Sequence, residues 1–254
     1  FLVLGDKLFH GRYTKKDINL LWGLSHDVAI AVENALLYEE LSVKVSEIEV
    51  LYEKEKRIFL STVIAFATAI DAKDPYTHGH TERVTKYCLL IKEQLEKLGQ
   101  KFDKDFDKKL QVAALLHDVG KIGTPDYILN KKGPLTKEEY EEIKKHARVG
   151  ASILQPIEEL REVALAIKHH QERWDGLGYP QGLKGEEIPL ISRMVMVADA
   201  FDALISNRPY REGIFEEMAL EEIKKGAGTQ FDPILTATFL HAYRLRSDSN
   251  IKTN

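Results

Sequence analysis

His117 and Asp118 stand side by side inside the apolar run AALLHDVGKI, residues 113–122. An imidazole and a carboxylate among leucines and valines cost several kcal/mol unless something compensates them, and a bound metal ion is the strongest compensation available. Lys121 is the one cation close by in sequence, so a buried Asp118–Lys121 ion pair is the competing reading. Other segments carry residues of the same kind: GHTERV with His80, KKHARVG with His146, HHQERWDGLGYP with His169 and His170, and VADAFDALISNRPYR with Asp199, Asp202, Arg208 and Arg211. Imidazoles and carboxylates from separate helices converge in bundle cores to make dinuclear centres. An aspartate beside a histidine can give one oxygen to each of two ions, and two ions about 3.5–4 Å apart can share a hydroxide and clamp a phosphate for in-line attack.

Helical phase separates the neighbouring candidates. On a wheel, Leu160, Val163, Ala164, Ile167 and His170 share a face while His169 points nearly opposite, so His170 is the expected ligand. Val195 and Met196 lie one turn before Asp199, and Asp202 follows by nearly one turn, so both acids can face inward. Asp202 then either orients a ligand or meets substrate. Trp174 and Tyr179 either pack their loop or stack on a base. His10, His26 and His241 read as ordinary core or surface groups.

The elements that must position these residues are helices. The segments expected are 58–72, 80–98, 105–119, 136–153, 158–171, 188–206, 215–226 and 232–245, with glycines and prolines clustered between them. Thr136 and Glu139 have the spacing of a capping box, and Pro233 suits the first turn of the last helix. Before them, FLVLG reads as a strand and Asp17 as the start of a helix. That helix continues through a stripe of Leu37, Leu41, Lys44, Ile48, Leu51, Glu55 and Ile58 at alternating steps of four and three. A parallel coiled-coil dimer and a single long helix lying on its own domain are the two readings of that stripe. The tail from residue 246 to 254 is polar and expected to be disordered.

Composition excludes several classes. A net charge of −4 over 254 residues argues against a general binder of polymeric nucleic acid, so an anionic ligand must be met by a few local cations. Cys88 is the only cysteine, which rules out an internal disulfide and suits an intracellular, cytoplasmic setting. The longest apolar run, Ile58 to Ile70, has 13 residues; roughly 20 are needed to span a bilayer.

Taken in order, HD in LLHDVGKIG, HH with DGLGYP, and ADAFDAL with RPYR resemble the HD-GYP family of metal-dependent phosphodiesterases, a branch of the HD superfamily. The resemblance covers residues 61–245 as one all-α, HD-type helical bundle. Residues 41–60 form a connector, and 1–40 look like the end of a GAF sensor domain. It implies hydrolysis of cyclic di-GMP to linear pGpG, with a further step to GMP left open, by a metal-bridging hydroxide. Another cyclic dinucleotide such as cyclic GMP-AMP, or a module that senses without hydrolysing, are the alternatives. Carried over by position, His80, His117, Asp118 and Asp199 would hold one metal, and Asp118, His146 and His170 the second. Lys121 would meet the scissile phosphate. Arg208 and Arg211 would bind phosphate, and Gly178, Tyr179 and Pro180 would form the substrate loop. Iron or manganese is the metal the resemblance implies, and a nitrogen- and oxygen-rich site without thiolates agrees with either. Tyr76 and Gln171 stand where some members supply ligands to a third ion, so two metals are expected here. A homodimer through the connector helix completes the implied partners.

Overall fold

The computed structural model describes Gly5 and residues 11–73, 79–206 and 213–251. The FLVLG strand, Tyr76, Arg208 and Arg211 therefore lie outside the described residues, Gly5 apart. No strand occurs among the described residues, only an isolated bridge between Ala227 and Phe231. The chain divides into two compact units, 1–59 and 60–254, with the boundary inside the first helix.

That helix, α1 (Lys15–Lys73), runs for 59 residues. It starts earlier than Asp17 because Thr14 is the cap: Asp17 N–H donates to Thr14 Oγ1 at 3.3 Å while Thr14 N–H donates to Asp17 Oδ2 at 2.8 Å. Reciprocal bonds of this kind satisfy amides that a helix start otherwise leaves unpaired. Within the first unit the side chains of Leu37, Leu41, Ile48 and Leu51 are all more than half exposed. Past residue 60 the same helix becomes amphipathic, burying Val63, Ala67 and Ile70 at steps of four and three.

The second unit is a helical bundle. Its helices are α2 (His80–Lys97), α3 (Phe106–Leu116), α4 (Asp126–Leu129), α5 (Lys137–Leu154), α6 (Arg161–Lys168), α7 (Leu190–Ile205), α8 (Glu216–Lys225) and α9 (Pro233–Ile251). Helix α2 is central, packing on α3, α7 and α9, while α5 packs on α6 and on a tight 3₁₀ turn at Val119–Gly123. Val84, Cys88, Ile91 and Leu95 form its buried stripe, and Met194, Val197, Ala198 and Phe201 are buried on α7, which packs against it. Burying such side chains contributes about 1.5–3 kcal/mol each for the larger ones. Phe201 and Phe239 meet edge to face at 5.0 Å, tying α7 to α9.

Three boundaries differ from the sequence reading. Helix α3 stops at Leu116, not at residue 119, because the chain tightens into the 3₁₀ turn that carries Lys121. Helix α6 ends at Lys168, so His169 and His170 lie in the turn that follows it. Helix α9 runs on to Ile251, into the segment read as disordered, since no proline or glycine interrupts it after Pro233.

Candidate metal centre

Six residues from five places in the bundle converge. His80 opens α2, His117 and Asp118 follow α3, His146 lies within α5, His170 follows α6 and Asp199 lies within α7. Ligand atoms of His80, His117 and Asp118 lie within 4.8 Å of one another, and so do those of Asp118, His146 and His170. Asp118 belongs to both groups. Asp199 joins the first, its Oδ1 standing 3.3 Å from His80 Nε2 and 3.9 Å from His117 Nε2.

Local backbone geometry fixes which ring nitrogen faces inward. His117 Nδ1 lies 2.8 Å from the Ala114 carbonyl, His146 Nδ1 2.7 Å from Ile143 and His170 Nδ1 2.6 Å from Ile167, each three residues upstream. A carbonyl can only accept, so each Nδ1 carries the proton and donates it. Each Nε2 then presents a lone pair to the centre. His80 is held differently, its Nδ1 donating to Asp202 Oδ2 at 2.7 Å.

These donors fit a metal on their own terms. His117 Nε2 is buried without a hydrogen-bond partner, a costly state for a polar atom unless it ligates something. His146 Nε2 and His170 Nε2 face each other at 3.3 Å with both Nδ1 atoms already committed to carbonyls, so two lone pairs point at one space that a cation would relieve. All the donors are nitrogen or oxygen, and Cys88 is buried in the core. That set suits divalent ions such as iron or manganese.

Charge is arranged to match. Burial alone would keep Asp118 neutral, but Lys121 and the imidazoles of His117, His146 and His170 hold its carboxyl well below the usual carboxylate range. Lys121 Nζ lies 2.8 Å from Asp118 Oδ2. The ion pair offered as the competing reading is thus present, alongside the histidine cluster and not instead of it. Burial, then the neighbouring His146 and His117, drives His170 down to about 3. Burial works against protonating His80 too, but hydrogen bonds to Asp199 and Asp202 outweigh it and push this ring up to about 9.

Several expectations change in detail. Asp202 is fully buried; it bonds His80 and accepts from Arg83 Nε at 2.7 Å and Nη2 at 2.9 Å. Its carboxylate is engaged by His80 and Arg83 inside the bundle. Gly178 serves packing: a Cβ there would lie 2.3 Å from Arg173 N, so only glycine lets the loop close on the backbone before it. Tyr179 is half-buried beside the site, its ring 6.3 Å from that of His146 with Lys144 Nζ 5.6 Å from its centroid. Pro180 follows it, its carbonyl accepting from Arg148. His169 is buried rather than pointing outward, with Nδ1 3.4 Å from Glu172 Oε1.

The sequence reading missed three supports. Glu172 accepts backbone N–H groups of Gln181, Gly182 and Leu183 at 2.7, 3.1 and 3.2 Å, pinning the chain that follows the Tyr179 loop. A carboxylate inside an aromatic and glycine-rich loop was the available signal. Lys73, at the end of α1, donates to the carbonyls of Ile122 and Thr124 at 2.8 Å and holds the turn that bears Lys121. Gly120 brings that turn against α5 so closely that a Cβ would sit 1.9 Å from the His146 carbonyl.

A family model described as HD domain matches residues 65–235. The chain is 40% identical over 187 residues to the 3'3'-cGAMP-specific phosphodiesterase 3 of Vibrio cholerae, covering 73% of this chain and 39% of that one. It is 42% identical over 193 residues to a cyclic di-GMP phosphodiesterase of Thermotoga maritima, covering 72% and 50%. It thus spans half or less of the length of these relatives. The crystal structure of a cyclic GMP-AMP specific phosphodiesterase of V. cholerae shares the fold, with a TM-score of 0.58, 23% identity, and 72% and 48% of the two chains covered. The matched region spans every residue of the centre, the His117–Asp118 pair among them, and the chain belongs to the HD domain family.

Proposed function

We propose that this chain is the hydrolytic part of a cyclic dinucleotide phosphodiesterase of the HD-GYP type, acting on cyclic di-GMP. The observation that carries this reading is a single carboxylate, Asp118, shared by two histidine groups with a lysine 2.8 Å away. Two divalent ions held by these groups, iron or manganese by their donor set, would supply an activated water at neutral pH and neutralise charge on a phosphate.

The chain's own residues do the rest. Lys121 keeps an ammonium beside the shared carboxylate, placed to meet a phosphate oxygen as negative charge grows during attack. Tyr179 walls the site over His146. The substrate has two phosphate charges and the chain is net acidic, so the second phosphate falls to Arg208 and Arg211, outside the described residues. The leaving group is the 3′ oxygen, and the product linear pGpG.

Cyclic GMP-AMP is the second substrate to consider, because the relative at 40% identity is a 3'3'-cGAMP-specific phosphodiesterase and the one at 42% a cyclic di-GMP phosphodiesterase. Metal-loaded protein offered each dinucleotide in turn, with products separated by chromatography, tests both. The expected result is pGpG from cyclic di-GMP. Intact dinucleotide retained on the protein without any product would leave a sensing module and overturn the enzyme reading.

The exposed stripe of Leu37, Leu41, Ile48 and Leu51 supports a parallel homodimer through α1, with residues 1–40 as the end of a sensor domain that signals along it. No helix among the described residues is long and apolar enough to cross a membrane.

A further inference from the structure

A cleft of about 720 Å³, with none of the candidate metal ligands in its lining, lies between α5, α6 and the chain just past Pro180. Arg148, Arg161 and Lys168 line it, with the neutral polar side chains of Ser152, Gln155 and Gln181 and an apolar floor that includes Ala164 and Leu165. No acid is among the lining residues, although the protein as a whole has 40 acidic and 36 basic side chains. Arg148 Nη2 donates to the Pro180 carbonyl at 3.0 Å, and Lys168 Nζ to Gln181 Oε1 at 3.2 Å. Two cations therefore converge on one dipeptide and meet uncharged groups there, while Arg161 Nη1 stands 3.7 Å from Glu158 Oε1.

We propose that this cleft is a second binding site, for a small phosphorylated ligand of nucleotide size. Its volume is in the range of small-molecule pockets, about 300–1,000 Å³. Guanidinium and ammonium groups give phosphate oxygens charge-assisted hydrogen bonds, and a pair of arginines can engage them bidentately. The apolar floor and the two glutamine amides suit a base or sugar. The site stands independently of the phosphodiesterase reading, because its test reads binding and not turnover.

The test is equilibrium dialysis of metal-loaded protein with labelled GMP, for the wild type, an Arg148→Gln/Lys168→Gln double variant and His170→Ala. Both cations of the double variant are at the surface, and circular dichroism checks that it folds. Expected is a class of GMP sites that the double variant weakens by about tenfold or more and His170→Ala retains, with Arg161→Gln giving a smaller loss. Inorganic pyrophosphate should compete and guanosine should not. Binding that persists in the double variant and disappears with His170→Ala would assign the GMP to the metal centre and overturn the proposal. So would no GMP or pyrophosphate binding at all, or displacement by a polyglutamate peptide more effective than by pyrophosphate, which would make the cleft an acidic-peptide surface.

Discussion

The two halves of the centre share Asp118 yet are supported by different means. On one side His146 and His170 are each fixed by a carbonyl three residues upstream, a contact that the local helical turn provides. On the other, His117 is fixed in that same local way, but His80 is fixed by Asp202, which is 122 positions away and is itself clamped by Arg83. The first half is neutral imidazole in a desolvated pocket, with His170 driven down to about 3. The second is rich in charge, with two carboxylates raising His80 to about 9. One arrangement is robust because it is local; the other depends on the packing of α2 against α7. The two halves should therefore fail separately.

The largest expected effect joins them. Asp118→Ala removes the shared carboxylate, so elemental analysis should fall from close to two metals per chain to near none, with turnover lost. One metal retained at full occupancy would show that the halves do not depend on this bridge.

Asp202→Asn should separate them. It removes the negative charge that His80 Nδ1 and Arg83 share, and loss of such a supporting group typically lowers metal affinity by about 10- to 100-fold. Metal titration should show one weakened site and one unchanged site. Equal weakening of both would break the comparison.

Gly120→Ala attacks the other side. A methyl group 1.9 Å from the His146 carbonyl forces the 119–123 turn off α5, at a cost of about 1–3 kcal/mol in stability. Thermal melts should show that loss, and the metal site of His146 and His170 should weaken more than that of His80. An unchanged melting temperature would mean that the turn relaxes freely.

Thr136→Ala gives the smallest effect. Thr136 Oγ1 accepts from Glu139 N–H at 3.2 Å and caps α5, the helix bearing His146, ten residues from the ligand. Stability should fall by about 1 kcal/mol while both metal sites stay intact. Metal loss from this variant would show that α5 transmits disturbance along its length.

What the sequence by itself determined follows from short-range physics. The periods of Val84, Cys88 and Ile91 in α2 and of Val163 and Ile167 in α6 announce helices, and the Thr136–Glu139 box marks where α5 starts. His117 and Asp118 were legible as a candidate site because charge inside an apolar run demands compensation, whereas the helical phase used to separate His170 from His169 does not apply, since both lie past the end of α6 and both are buried. The roles of Asp202, Gly178 and Glu172 were not legible. Each is decided by a partner brought close only by folding: His80 from another helix for Asp202, the backbone at Arg173 for Gly178, the amides of residues 181–183 for Glu172. Lys73 belongs with them, since nothing in the pattern of α1 says that its ammonium will meet the carbonyls of Ile122 and Thr124. Helical periodicity is written in neighbours a few residues apart. Which carboxylate orients a ligand, and which one fastens a loop, depends on distances that exist only once the bundle has closed.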